Sequence, residues 1–271
     1  MSTAPRRPPF TSALGTREAF AVAHAGLLPL RQVMGVSYFK MGWQTMPWSA
    51  GGGFNMRGAG GTTELETQTE AWNEARRLAV DRLRDEAVAC GADAVVGVRI
   101  VRRLRDWASD LAEFVATGTA VRSTRVEVGD GAPLLCSLSG QDVAKLVAHG
   151  FWPVGIAGGS TVAYVASGWQ QTQRSGGLFS SMRNQELPDF SQGMYDARAL
   201  AMRRVEADAR RLGATGVVGV TIDRSQRTRE RDVNNTTYVD LILELHVLGT
   251  AIVEHAGAGE PPAKNIILRL S

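Results

Sequence analysis

The stretch Ala75–Ile100, ARRLAVDRLRDEAVACGADAVVGVRI, recurs 122 positions later as Ala197–Ile222, ARALAMRRVEADARRLGATGVVGVTI, with 13 of 26 residues identical. Chance would leave only a few matches, so one unit is present twice. The likeness runs outward with small shifts. Gly15 answers to Gly140, Val22-Ala23-His24 to Val147-Ala148-His149, and Pro29 to Pro153. Gly42-Trp43 answers to Gly168-Trp169, and Gly118-Thr119-Ala120 to Gly249-Thr250-Ala251. Each copy spans about 120 to 130 residues, which is a whole domain rather than a solenoid repeat. The chain divides as 10–128, the first copy, 133–255, the second, and 256–271, a linker with an apolar tail; the joint falls at Val128–Pro133.

Within a copy, periodicity gives the order of elements. Thr63 with Glu66 reads as a capping box, after which Trp72, Ala75, Ala79, Leu83, Ala87 and Cys90 recur at helical spacing. Gly91 and Gly213 stand where a helix end needs positive φ, and Arg210 and Arg211 complement the second helix's dipole. Ala94–Val98 is a short continuous apolar run, the mark of a strand covered on both faces. The strand that follows is Leu111–Arg122 in the first copy and Thr237–Ile252 in the second. Pro29–Phe39 and Pro153–Val165 read as strands before the main helix, and Gly15–His24 and Gly140–His149 as short leading helices. Gly97 and Gly219 interrupt β-branched runs, which predicts a close approach of another backbone or helix there.

Composition narrows the class. At 44% hydrophobic and 21% charged residues the chain is an ordinary globular protein. Its net charge is +3 and only three of its 30 basic residues are lysine, but acids interleave the arginines, which does not point to nucleic acid. Two cysteines, Cys90 and Cys136, at unmatched positions argue against a disulfide framework or a Cys-x-x-Cys site. Met1–Pro9 lacks a signal-peptide core, so a cytoplasmic location is expected.

These residues resemble the YbjQ-like family, catalogued as heavy-metal-binding domains. The motifs are the Gly-Trp end of the first strand, the Ala-Arg-rich helix running into Gly91–Arg99, and Glu113–Val121. The second copy keeps Gly213-Ala214, Val217–Val220 and Glu244 to Gly249-Thr250-Ala251. The resemblance implies an α+β fold: two tandem dodecin-like β-α-β-β domains, each with a short leading helix. It also implies assembly into closed rings, pentamers in the single-domain members, and no established biochemical role. Thr215-Gly216 and Thr221 depart from the family pattern, so a site built on Asp93 or Arg99 exists once per chain.

No reaction is legible. There is no Gly-x-Ser-x-Gly and no Cys–His pairing, and Gly51-Gly52-Gly53 and Gly58–Gly61 lack the lysine and serine of a phosphate loop. His24, His149, His246 and His255 are scattered, unlike zinc ligands; His24 and His149 read as tips packed near the Pro29 and Pro153 turns. No metal or cofactor is expected. Glu113 and Glu244 occupy matched positions, and Asp240, Glu244 and His246 share one face of a strand, a candidate ligand or interface set. The plainer alternative pairs each Glu across the ladder with Arg99 or its equivalent. Trp43, Trp48 and Phe54, answered by Trp169 and Phe179, place apolar bulk in loops, as interface residues do.

The tail Asn265–Ser271, laid on Leu134–Ser139, repeats Leu138-Ser139 as Leu270-Ser271. It is therefore expected to dock through Ile266, Ile267, Leu268 and Leu270 by adding to a sheet edge. The sequence thus points to a non-enzymatic, homo-oligomeric scaffold or binding module, by family likeness a pentameric ring, whose Trp/Gly loops engage an unidentified protein partner. A membrane surface is not the expected partner. A metal-ion or small-ligand binder using the strand carboxylates is the alternative, and an enzyme of unknown reaction the third reading.

Overall fold

The computed structural model describes residues 11–40, 61–105, 108–124, 131–168, 186–233 and 236–254. Trp43, Trp48, Phe54, Trp169, Phe179, Gly51–Gly53, Gly58–Gly60, His255 and the tail residues Ile266, Ile267, Leu268 and Leu270 lie outside the described residues.

The described elements make a mixed α+β body in two similar halves. The first half contains α1 (Thr16–His24), β1 (Leu27–Lys40), β2 (Gly61–Glu64), α2 (Glu66–Ala89), β3 (Ala94–Arg105) and β4 (Ala108–Ser123). The second contains β5 (Leu134–Leu135), α3 (Gly140–Ala148), β6 (Phe151–Ala166), α4 (Pro188–Arg211), β7 (Gly216–Val233) and β8 (Thr236–Glu254). The repeat therefore appears as leading helix, strand, main helix and hairpin, twice.

Two four-stranded sheets result, in the orders β1-β4-β3-β5 and β2-β6-β8-β7. Each takes its fourth strand from the other copy. β2 of the first copy pairs antiparallel with β6, from Gly61 opposite Ala166 to Glu64 opposite Ala163. β5, at the start of the second copy, pairs parallel with β3.

One face of each sheet carries its own long helix. Ala112, Phe114 and Ala116 of β4 share a core with Trp72, Ala75, Ala79 and Leu83 of α2, and Leu243, Leu245 and Val247 of β8 share one with Ala197, Ala201 and Val205 of α4. The helices lie close because glycine faces them. A Cβ on Gly35 would collide with the Ala79 carbonyl oxygen and the Leu83 amide, and Gly159 faces Ala201 and Val205 in the same way.

Three expectations need correction. Thr63 does not cap α2: it lies in β2 opposite Tyr164, and the N-cap is Leu65 without a side-chain cap. The Leu65 amide donates instead to the Val162 carbonyl of the second copy, so a neighbouring strand supplies the acceptor that a capping box would have provided. Gly97 and Gly219 are required mainly by conformation. Their φ angles are +65° and +61°, at matching register shifts between Val96 and Arg99 and between Val218 and Thr221, where a bulge takes a left-handed residue. The expected approach is also present at both: the Gly97 amide donates to the Leu138 carbonyl at 3.1 Å, and the Leu138 side chain occupies the place of a Cβ at Gly219. Finally, His24 and His149 are exposed at the ends of α1 and α3, and His149 Nδ1 lies 2.8 Å from the Lys145 carbonyl. The C-terminal glycines stand as expected, Gly91 and Gly213 each at φ +67°.

Candidate functional site: the seam between the copies

The second face of the second sheet is buried, and the first copy buries it. Side chains alternate along a strand, so while Leu241, Leu243 and Leu245 turn to α4, Asp240, Ile242, Glu244 and His246 turn the other way. Ile242, Val162 and Tyr164 belong to the same apolar cluster as Trp72 and Phe114 of the first copy. The two halves therefore share a core.

The face shared by Asp240, Glu244 and His246 was legible in sequence; the partners of these residues were not. Glu244 is 0% exposed and receives Arg102 Nη1 of β3 at 2.8 Å, Arg227 Nη2 of β7 at 2.8 Å and the Ser225 hydroxyl. Arg102 also donates to Ser225 and places its guanidinium carbon 4.3 Å from the centre of the Trp72 ring. Trp72 in turn stacks on His246, with ring centres 4.6 Å apart and planes 18° from parallel. Burial first, and then the charges of Arg102 and Arg76, hold the His246 imidazole well below its usual range. Its Nδ1 lies 2.8 Å from Ser160 Oγ, and its Nε2 meets no hydrogen-bond partner among the described residues.

Asp240 forms a separate knot. It accepts from the Tyr164 hydroxyl, from Arg231 Nε at 2.6 Å and from the Ser167 amide at 2.8 Å. Burial pushes this carboxyl up, but the bonds from Arg231, Tyr164 and Ser167 outweigh it and hold the group below the ordinary aspartate range. Glu113 accepts the Tyr38 hydroxyl at 2.8 Å. Neither glutamate faces Arg99 or its equivalent: Arg99 stands opposite Thr117, whereas Arg103 is opposite Glu113 and Ser225 opposite Glu244. The register of β3 on β4, which residue counting does not reveal, decides the pairing. Among the described residues no group of three or more His, Cys, Asp or Glu is arranged to hold a metal ion, and no helix is long and apolar enough to cross a membrane. Asp93, named by the family pattern, accepts the Ser123 amide at 2.8 Å.

α2 completes the seam, and its role there left no signal in the sequence. Its exposed-looking residues satisfy the outer edge of β6. Thr69 Oγ1 accepts the Val162 amide at 2.9 Å, Asn73 bridges the Ser160 amide and carbonyl at 3.0 Å each, and Arg76 donates to the Gly158 carbonyl at 3.0 Å. On the other side, Leu134–Leu138 closes the outer edge of β3. Cys136 donates to the Val95 carbonyl, and Gly97 and Val98 donate to the carbonyls of Leu138 and Cys136.

The matching surfaces at the far ends lack the cover that the other copy supplies at the seam. Among the described residues no strand pairs with the outer edge of β7 or of β1, although the Leu138 side chain meets Gly219 and Thr11, Glu86 and Arg82 engage the Gln32 amide, the Met34 amide and the Val36 carbonyl of β1. Met34 and Tyr38 of β1 are 51% and 57% exposed where their counterparts Gly158 and Val162 are buried. Tyr195 of α4, the counterpart of Asn73, is 68% exposed.

Comparison with known proteins gives relatives for both copies. The family described as "Putative heavy-metal-binding" (YbjQ_1) matches residues 55–124 and 154–255. The chain is similar to the encapsulin nanocompartment protein Rv1762c of Mycobacterium tuberculosis, 37% identical over 265 residues that cover 96% of this chain and 91% of that protein. It is also similar to a UPF0145 protein of Clostridium perfringens, 45% identical over 58 residues, which are 21% of this chain and 53% of that protein. A UPF0145 protein of Thermosipho africanus is 47% identical over 64 residues, 24% of this chain and 56% of the relative.

Proposed function

The chain belongs to the YbjQ family, and on that premise we propose that it is a homo-oligomeric scaffold that closes into a ring and works with a protein nanocompartment. The observation that carries this reading is one sheet face present twice, covered by the other copy in the second copy and left without that cover in the first. Paired strands and a helix bury Val162, Tyr164 and Ile242, whereas Met34 and Tyr38 of β1 face solvent. A strand edge with no strand beside it and exposed apolar side chains next to it invites further pairing, and closure of a ring removes it.

The nanocompartment partner comes from the similarity to the mycobacterial protein. The segments bearing Trp43, Trp48, Phe54, Trp169 and Phe179, which lie outside the described residues, are assigned to engage it. Glu244 and Asp240 serve in this reading as structural anions neutralised by arginine. No reaction is assigned.

Native mass spectrometry of the purified full chain is the test. A discrete multimer at micromolar concentration is expected, and a monomer would overturn the scaffold. Co-expression with an encapsulin shell protein tests the partner: the chain is expected to co-sediment with assembled shells, and its complete absence from them would remove that assignment.

A further inference from the structure

We propose that the seam joining the two copies within a chain is repeated between chains, the second copy of one molecule docking on the first copy of the next. This rests on the reading that the chain assembles with itself, and goes further by naming the surfaces. The seam uses different surfaces on its two sides: α2, β2 and the β3 edge on the first copy, the β6 edge and Glu244 on the second. A reciprocal contact would join α4 to β1 in the same chain, yet Tyr195, Met34 and Tyr38 are exposed. The seam is therefore heterologous, and such contacts propagate from molecule to molecule.

The repeat carries the donor groups to the same places. Leu187 is the N-cap of α4 as Leu65 is of α2, in nearly the same backbone conformation, with ψ of 88° and 82°. Leu65 donates its amide to Val162, and Val162 has Tyr38 as its counterpart, so the Leu187 amide of one chain reaches the Tyr38 carbonyl of the next. Ser191 stands where Thr69 accepts the Val162 amide, and there it accepts the Tyr38 amide. Arg198 stands where Arg76 donates to Gly158, and there it donates to the Met34 carbonyl.

Charge agrees. Arg224 faces Leu245 across the ladder as Arg102 faces Phe114, and Glu113 matches Glu244. Arg224, exposed in the single chain, pairs with Glu113 of the next molecule beside the Tyr38 hydroxyl that Glu113 already accepts. Copies then alternate around the assembly, so its domain number is even. A ring of five domains is out of reach, whereas five chains give ten.

The test compares native masses of the full chain, Arg224→Glu, and Arg224→Glu with Glu113→Arg. The single exchange is expected to weaken association at least tenfold and the double exchange to restore it. Should the double variant fail to fold, Ser191→Cys with Tyr38→Cys supplies a second readout. Diamide, reduced as the two thiols join, is expected to produce a covalent ladder in multiples of 29.1 kDa. A wild-type multimer that ignores Arg224→Glu and forms no ladder overturns this inference and leaves the scaffold standing; a wild-type monomer overturns both. Dissociation caused by truncation after Pro262, with Arg224→Glu silent, would assign the contact to the C-terminal segment and likewise overturn it.

Discussion

Arg102 Nη1 and Glu244 Oε2 meet at 2.8 Å across 142 positions of sequence, with the carboxylate fully buried and the guanidinium nearly so. The pair joins β3 of one copy to β8 of the other. Its neighbours Trp72, His246, Ser225 and Arg227 make the seam a polar network set within an apolar core, where each removed member leaves another unsatisfied.

Arg102→Leu is expected to destabilise the chain by about 3 kcal/mol, the order seen when one partner of a buried ion pair is deleted. Arg227 and Ser225 still hold Glu244 after the change, which keeps the loss at the lower end of that range. Urea unfolding measures it, and a loss below about 1 kcal/mol would mean that water reaches the seam.

Stability is expected to fall with pH below about 6.5 because of His246. In the unfolded chain this imidazole binds a proton in that range, whereas in the native chain burial and two arginines keep it neutral. The unfolded state thus binds more protons, and the native state loses up to about 1.4 kcal/mol for each unit of acidification. His246→Phe retains a ring against Trp72 and is expected to flatten the profile between pH 6.5 and 5. An unchanged slope would assign the acid sensitivity elsewhere.

Asp240 governs a lower window. Its depressed native titration gives stability that is present above the ordinary aspartate range and lost as the pH falls through the native one. Asp240→Asn is expected to lower the melting temperature at pH 7 by several degrees and to have a smaller effect near pH 3, as thermal scans at the two pH values will show.

Gly35→Ala is expected to cost more than Gly97→Ala. The first drives a Cβ into the α2 backbone, which cannot rotate away, for about 3 kcal/mol. The second meets only Leu14 at 3.4 Å and carries the left-handed conformational cost of about 1 kcal/mol. Melting temperatures in the reverse order would refute the packing assigned to Gly35.

Millimolar calcium or zinc is expected to leave the melting temperature unchanged, because arginine, serine and tyrosine groups already engage the oxygens of Asp240 and Glu244. A ligand that binds the native state raises it by mass action. An increase that Glu244→Gln abolishes would restore the carboxylates to a metal role.

The sequence by itself determined the two copies, the order of elements in each, the long helices ending at Gly91 and Gly213, and the common face of Asp240, Glu244 and His246. All of these are local or periodic, written in 3.6-residue and two-residue spacing and in the one residue type that accepts positive φ. Only the tertiary structure decided what those faces meet. Thr63 read as a cap and Leu134–Leu135 carried no strand signal, yet both lie in strands that complete the other copy's sheet, because the edges of β6 and β3 offer backbone partners that no nearby residue provides. The same distinction separates Thr69 and Trp72, buried, from Ser191 and Met194, only partly covered. Their helices carry one pattern, and a pattern repeated in both copies cannot say which copy finds a partner within its own chain. That depends on the order in which the domains are joined and on the direction of the seam, since a chain with two copies and one heterologous contact covers one surface of each kind and leaves the other in water.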